Sequence, residues 1–203
     1  MSLDKSTTDS FFNKDLSLFL RLKKFKDKQA FLTAYDKYAE AIYRFIYFKI
    51  GQEEDARDLT SAVFLKCWSY VQEGKLNEDN EYQSLKAFLY KIARNLVIDY
   101  YRQSKPNVSL DEAETIIDDS QDLTQIDTDI SLDQIRVKLM YLKDEYKTMI
   151  IMRYINELSI AEISQITGKS KGNVRIMVMR ALKILKNLLE QSDERPGTVE
   201  SIK

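Results

Sequence analysis

The chain has 203 residues, 44% of them hydrophobic, and its 31 Lys and Arg nearly balance its 32 Asp and Glu. A chain of this size can bury one large or two small hydrophobic cores. Histidine, the commonest metal ligand and general base, is absent from the sequence, which also lacks a Walker loop and a dinucleotide fingerprint. We therefore expect a protein that is not an enzyme and binds no metal or cofactor.

The distribution of apolar residues excludes further classes. The sequence contains no run of about 18 apolar residues and no charged-then-apolar leader, so we expect a cytoplasmic protein without membrane insertion. Cys67, the single cysteine, lies on an apolar helical face, which predicts a buried thiol. With two prolines, five glycines and no alternating apolar pattern, the chain is predicted to be all-α, with two small helical domains joined by a linker.

Three amphipathic patterns follow an N-terminal extension, residues 1–25, which we expect to be partly disordered. Apolar spacings of three and four predict helices over about 27–49, 53–71 and 84–103, and we assign them to a first domain, residues 26–106. Gly51 is placed to end the first of these helices. Opposite its apolar face, the third helix carries a largely polar stripe: Lys91, Arg94, Asn95, Ile98 and Arg102.

Charge is distributed unevenly along the chain. Between residues 107 and 135 there are nine carboxylates and no Lys or Arg, and we assign residues 107–131 to an acidic linker. A disordered spacer and a specific acidic role are equal alternatives for this linker. From Lys169 to Lys186 there are six basic residues and no acidic one. The overall net charge of −1 therefore conceals basic segments suited to nucleic acid.

The second domain, residues 132–190, is predicted to contain four helices, followed by a disordered tail over residues 191–203. Ser159 and Glu162 have the spacing of a capping box at the start of one helix. Gly168 stands where that helix must end in a left-handed turn, and Ser170 is placed to cap the next helix. This order of signals is typical of a helix-turn-helix, which makes duplex DNA the first candidate ligand.

The second helix of this motif is the predicted recognition helix. Asn173 can offer two hydrogen bonds to adenine and Arg175 two to guanine, although Arg175 can equally hold phosphates. A solvated basic helix face is the alternative interpretation. The candidate DNA-contacting residues are Ser170, Lys171, Asn173, Arg175, Ile176, Met179, Arg180 and Lys183.

Two blocks, Asp55 to Trp68 and Ala87 to Asp99, resemble region 2 of extracytoplasmic-function (ECF) RNA polymerase sigma factors. Residues 142–188, including Met152-Arg153-Tyr154 and Arg180-Ala181-Leu182, resemble region 4 of the same family. The resemblance covers about residues 27–190 and includes the linker and the lack of a middle domain. It implies a bacterial transcription initiation subunit.

The resemblance also implies partners and residue roles. Region 2 is expected to bind the clamp of core RNA polymerase and to recognise and melt the minus-ten element. Region 4 is expected to bind the polymerase flap and the minus-thirty-five element, and an anti-sigma factor is a further expected partner. The polymerase-binding residues would be Asp55, Asp58, Leu59, Ser61, Phe64, Leu65 and Trp68. The minus-ten and melting residues would be Asn77, Asp79, Asn80, Tyr82, Lys86, Tyr90, Lys91, Arg94, Asn95 and Arg102.

The sequence departs from the family pattern at several positions. The family usually has Gln and an acidic residue at the positions of Ser61 and Ala62, and Trp at that of Phe88. In the recognition helix it often has Ser and a basic residue where Ile176 and Met177 stand. We therefore predict apolar base contacts there, for example with a thymine methyl group.

Two other functions are compatible with parts of this pattern. One is a stand-alone helix-turn-helix regulator that binds duplex DNA without polymerase. The other is a protein-interaction module whose helices do not bind DNA. Solvated surface is an equal alternative for the polar stripe of the third helix. For Tyr82, Tyr90 and Tyr101 a place in the core is favoured over stacking on a base. Core positions are also the alternative for Phe64, Leu65 and Trp68.

Overall fold

The computed structural model describes residues 16–77, 84–104 and 132–193. Within these ranges the secondary structure is helical, without strands, which confirms the predicted all-α fold. The helices are α1 (16–25), α2 (Lys28–Ile50), α3 (Glu53–Gln72), α4 (Leu85–Ser104), α5 (Leu132–Leu139), α6 (Asp144–Ile150), α7 (Ile160–Thr167) and α8 (Lys171–Asp193). A 3-10 turn spans Lys75–Asn77, and a π-helical segment, Ile151–Ile155, continues α6. The acidic linker lies outside the described residues.

Local side-chain and backbone signals fix the ends of α2. The Asp27 carboxylate accepts hydrogen bonds from the backbone amides of Gln29 and Ala30, at 2.8 and 3.1 Å, and so caps the helix. At the other end Gly51 has a φ of 81°, and its amide donates to the Tyr47 carbonyl at 2.8 Å. Because this left-handed conformation is easiest for glycine, the predicted stop at Gly51 is confirmed.

Helices α2, α3 and α4 pack on one another and form the first core. The predicted apolar faces are buried around residues such as Ile42, Phe45 and Leu89, none more than 1% exposed. Helix α1 extends this core with Leu18, Phe19 and Leu22, so the extension predicted to be partly disordered is helical from residue 16. Residues 1–15 lie outside the described ranges.

Helices α5, α6 and α7 pack around α8 and form a second helical group. The inner face of α8 contributes Val174, Val178 and Ala181, which pack with Met149 of α6 and Ile163 of α7. Helix α8 therefore turns one apolar face toward the other helices of this group. Ser131, which has the spacing of a capping box with Gln134 at the start of α5, lies outside the described residues.

The two helical groups contact each other directly. Asn156 donates to the Ala41 carbonyl of α2 at 2.6 Å, and Lys86 of α4 pairs with Glu162 of α7 at 2.7 Å. Arg136 of α5 donates to the Tyr47 hydroxyl at 2.9 Å and stacks over the same ring. These contacts place α7 against α4 and the α6 region against α2.

No helix in the described ranges is both long enough and apolar enough to span a bilayer.

Candidate nucleic-acid interface

Helices α7 and α8 form a helix-turn-helix whose turn is held by short-range hydrogen bonds. The Ser159 hydroxyl accepts from the Glu162 amide at 3.2 Å, and the Ser159 amide donates to the Glu162 carboxylate at 2.7 Å. Gly168 has a φ of 70°, and the Ser170 hydroxyl accepts from the Asn173 amide at 3.2 Å. All three sequence signals are therefore confirmed: the capping box, the left-handed glycine and the second cap.

The outer face of α8 presents most of the predicted DNA-contacting residues to solvent. Those exposed are Ser170, Lys171, Asn173, Arg175, Ile176, Met179 and Arg180, whereas Lys183 is half-buried. The prediction for Met177 is wrong, because its side chain is 8% exposed and packs in the core. Ile176 and Met179, at 49% and 57% exposed, are the large apolar side chains on this face. The face is otherwise cationic, which suits a polyanion.

A second cationic surface is a cleft of about 130 Å³ between α3, the 3-10 turn and α4. Tyr70 and Phe88 meet edge to face in its wall, with ring centroids 5.6 Å apart. The Lys75 ammonium lies 5.9 Å from the centroid of the Tyr70 ring. The lining residues are Lys66, Tyr70, Lys75, Leu76, Phe88, Lys91, Ile92 and Asn95. Lysines beside aromatic rings are the combination that binds unstacked nucleotides.

The cleft includes only part of the set predicted from sequence. Lys91 and Asn95 line it, while the missed residues Lys66, Tyr70 and Lys75 come from α3 and the turn after it. Spacing within α4 cannot show them, because they reach the cleft only when α3 packs against α4. Asp79, Asn80 and Tyr82 lie outside the described residues, as does the side chain of Asn77.

The remaining α4 candidates divide by burial. Arg102 is exposed and Arg94 is half-buried, whereas Lys86 is held by Glu162. For Tyr90 the core alternative is confirmed, because its side chain is fully buried and its ring packs edge to face on Phe45. Burial raises the pKa of Tyr90, since it removes solvation from the phenolate. This tyrosine belongs to the core.

The α3 side chains predicted to meet a protein partner differ in exposure. Leu65 is 71% exposed, Asp58 and Ser61 are exposed, and Leu59 is half-buried. For Phe64 the core alternative is confirmed, because its side chain is 3% exposed and the centroid of its ring lies 4.7 Å from that of Tyr35.

Two other members of that predicted surface have partners within the chain. Asp55 accepts a hydrogen bond from the Tyr100 hydroxyl at 2.6 Å. The Trp68 ring, which is half-buried, packs on Phe31 with centroids 4.9 Å apart. Helix α3 therefore exposes an apolar side chain at Leu65 next to acidic and polar neighbours.

A cluster of buried charged residues between α2 and α6 was not predicted from the sequence. The Lys49 side chain, 2% exposed, forms an ion pair with Asp144 and donates to the Thr148 hydroxyl at 3.0 Å. Desolvation lowers the pKa of Lys49, while Asp144 opposes that shift. Desolvation lowers the pKa of Lys147 to about 8, and the positive charge of nearby Lys49 adds to that shift. No sequence signal identifies these lysines, because each lies at an ordinary polar position of its helix.

Cys67 is buried, as predicted. Its side chain is 1% exposed, and desolvation raises the pKa of the thiol to about 12. The thiolate is therefore disfavoured at neutral pH, and Cys67 acts as a small apolar core residue. Among the described residues no group of His, Cys, Asp or Glu side chains has the arrangement of a metal site.

Comparisons with known proteins match both halves of the chain. Residues 34–106 match the family model Sigma-70 region 2, and residues 132–185 match Sigma-70, region 4. The ECF RNA polymerase sigma factor SigW of Bacillus subtilis strain 168 is 30% identical over 182 residues, covering 83% of this chain and 95% of that protein.

Two solved structures share the fold. CnrH in complex with the cytosolic domain of CnrY matches with a TM-score of 0.65 and 18% identity, over 88% of this chain and 98% of that one. RpoE in complex with the anti-sigma factor NepR, from Bartonella quintana, matches with a TM-score of 0.59 and 20% identity, over 79% of this chain and 96% of that one.

Proposed function

We propose that this chain, which belongs to the ECF family of RNA polymerase sigma factors, binds core polymerase and selects promoters for transcription initiation. In this role it is a dissociable cytoplasmic subunit that carries out no chemistry of its own; the polymerase makes the RNA. The observation that carries the proposal is the presence of two cationic surfaces in one chain, the outer face of α8 and the cleft between α3 and α4.

The outer face of α8 is suited to the duplex minus-thirty-five element. The exposed N-terminal residues of a recognition helix contact base edges in the major groove, and Lys171, Asn173 and Arg175 occupy that end. Ser170 caps the helix, and the free amides of its first turn favour a phosphate nearby.

The cleft is suited to the separated strand of the minus-ten element. Strand separation requires a cationic track and an aromatic surface for an unstacked base, and Lys66, Lys91 and Tyr70 supply these. Helix α4 would continue the track through its exposed Asn95 and Arg102.

The exposed side of α3 is suited to the polymerase clamp. Leu65 offers an apolar anchor, and Asp58 lies nearby on the same helix with its carboxylate exposed. We also propose an anti-sigma factor as a partner, because the structurally similar RpoE is bound to the anti-sigma factor NepR.

The test is reconstitution with core polymerase. We expect the full chain to bind core and to direct run-off transcription from promoters selected out of a genomic library. Leu65→Asp is expected to weaken core binding by at least tenfold, because it places a charge at the centre of a protein interface. Leu20→Asp, at another exposed leucine on α1, is the matched control.

Failure of the wild-type chain to bind core at low salt would contradict the proposal. Binding to specific duplex DNA without core would instead indicate a stand-alone helix-turn-helix regulator. Binding to neither core nor DNA would indicate a protein-interaction module.

A further inference from the structure

The outer face of α8 contains an apolar pair within a cationic surface. Ile176 and Met179 are 49% and 57% exposed, although both are large apolar side chains. Single exposed apolar residues are common on protein surfaces, but this pair is three residues apart and so lies on one helical face. The pair defines a small apolar patch at the centre of the predicted DNA-facing surface.

The charges around this patch identify the kind of molecule that covers it. Lys171, Arg175 and Arg180 are exposed on the same helix, and the sequence from Lys169 to Leu189 contains no acidic residue. An acidic polymer therefore fits around the apolar pair better than a neutral or basic protein surface does. Duplex DNA is the acidic polymer that a helix-turn-helix binds.

The bases offer one apolar partner in the major groove. Among the four base-pair edges, only thymine presents a methyl group there, at C5, whereas the other groups are hydrogen-bond donors and acceptors. A side chain of isoleucine or methionine cannot satisfy those polar groups and leaves them without partners if it covers them. An apolar pair at the groove floor therefore favours thymine over the other bases.

The spacing of the pair matches neighbouring base pairs. Three residues of α-helix advance about 4.5 Å along the axis. Successive base pairs are separated by about 3.4 Å. Ile176 and Met179 can thus contact two consecutive steps of the duplex, while Arg175 reaches a phosphate or a guanine beside them.

We propose that Ile176 and Met179 determine specificity for thymine methyl groups at two neighbouring positions of the upstream promoter element. This inference rests on the proposed function, because it requires α8 to enter the major groove of that element. It assigns apolar reading to Met179 and not to the buried Met177.

The test changes the DNA first and leaves the protein intact. Upstream elements are selected from a library of randomised duplexes by the full chain bound to core polymerase. We expect thymines at adjacent positions, on either strand. Each selected thymine is then replaced by uracil, which lacks only the C5 methyl group. Each replacement is expected to lower affinity about fourfold, the value of one buried methyl group.

Protein variants then assign each methyl group to a side chain. Ile176→Ala and Met179→Ala are each expected to reduce the thymine-to-uracil affinity ratio to about one at a single position, while leaving binding to core unchanged. Val137→Ala, which truncates another exposed aliphatic side chain of the same domain, is the control and is expected to keep both ratios.

Failures of the two proposals are distinguishable. If the holoenzyme selects no upstream sequence, the proposed function fails. If it selects a sequence without adjacent thymines, or if uracil binds as well as thymine, apolar reading is wrong and the proposed function stands. Apolar reading is also wrong if both alanine variants keep the thymine-to-uracil affinity ratio. It is wrong as well if the variants keep their promoter affinity and lose binding to a protein partner.

Discussion

Lys49 and Lys147 bring two ammonium groups close to the single carboxylate of Asp144. Both lysine side chains are almost fully buried, at 2% and 5% exposed. One carboxylate cannot compensate two desolvated cations, so the charged form of Lys147 is disfavoured and its pKa falls to about 8. The free energy of unfolding therefore depends on the protonation state of Lys147.

The first prediction concerns stability as a function of pH. Between about pH 8 and pH 10.5 the unfolded chain binds the Lys147 proton and the folded chain has lost it, so stability should rise with pH. Cys67 acts in the opposite direction above about pH 9, because the pKa of its thiol is raised in the folded state. We expect the free energy of unfolding to increase by about 1 kcal/mol between pH 7.5 and 9, measured by urea denaturation.

Lys147→Met is the variant that isolates this effect. It removes the titrating group and retains an apolar stem, so the increase between pH 7.5 and 9 should be reduced. Lys143→Met, at an exposed lysine four residues earlier, should retain it. An identical pH profile in wild type and Lys147→Met would contradict the prediction.

Helix α7 depends on its N-terminal cap and also contacts α4. Glu162 completes the capping box with Ser159 and pairs with Lys86 at 2.7 Å. Desolvation acts to raise the pKa of Glu162, but hydrogen bonds from Lys86 and Ser159, together with the Lys86 charge, hold that pKa below its usual value. One carboxylate thus serves both the local motif and the contact between the two helical groups.

The second prediction concerns this cap. Ser159→Ala removes the acceptor for the Glu162 amide, and we expect it to reduce the free energy of unfolding by about 1 kcal/mol. Ser61→Ala, at an exposed position within α3, is the control, because serine is not a cap there and alanine is the better helix former. Equal stability of Ser159→Ala and wild type would show that the capping box contributes little.

The third prediction concerns the cleft between α3 and α4. Lys66 is exposed at its rim, and Lys66→Ala should weaken binding of a single-stranded minus-ten oligonucleotide to the holoenzyme. If Lys66 contacts one phosphate, the slope of log affinity against log salt should decrease by about 0.7. Lys24→Ala, an exposed lysine on α1, should leave both quantities unchanged. An unchanged slope in Lys66→Ala would exclude that phosphate contact.

At the scale of the whole molecule, the two helical groups lie in contact, with α2 against the π-helical segment that continues α6 and α4 against α7. Two promoter elements a few helical turns apart are separated by roughly 70 to 85 Å. A connector of about 25 residues spans roughly 80 Å only when nearly extended. Simultaneous binding of both elements therefore requires the observed contact to open, which exposes Lys49 and frees Lys86 from Glu162.

The fourth prediction tests this opening. Asp144→Asn leaves the Lys49 cation buried without its counterion, which makes the contact unfavourable by several kcal/mol. We expect a larger radius of gyration of the free chain by X-ray scattering, and tighter binding to core polymerase. Glu145→Gln, at the adjacent and exposed carboxylate, is the control. An unchanged radius in Asp144→Asn would show that this ion pair does not hold the two groups together.

The sequence predicted the features that depend on neighbours along the chain. Gly51 and Gly168 end helices because each adopts a left-handed backbone conformation, and Ser159 caps α7 through a residue three positions away. The apolar faces of α2 and α4 were also predicted, because helical periodicity alone decides which side is buried. The sequence left Tyr90 and Phe64 open between core and surface and placed Met177 on the wrong side, since a side chain at the edge of an apolar face can point inward or outward.

By itself, the sequence determined the all-α fold, the helix-turn-helix and the position of the basic segments, because caps, turns and helical periodicity act over a few residues. Only the tertiary structure decided that Lys66 and Lys75 share a cleft with Lys91, that Met177 packs in the core, and that Lys49 is buried against Asp144. Each of these depends on the distance and rotation between packed helices. Those quantities are set by the complementarity of side chains far apart in the chain, which no local pattern records.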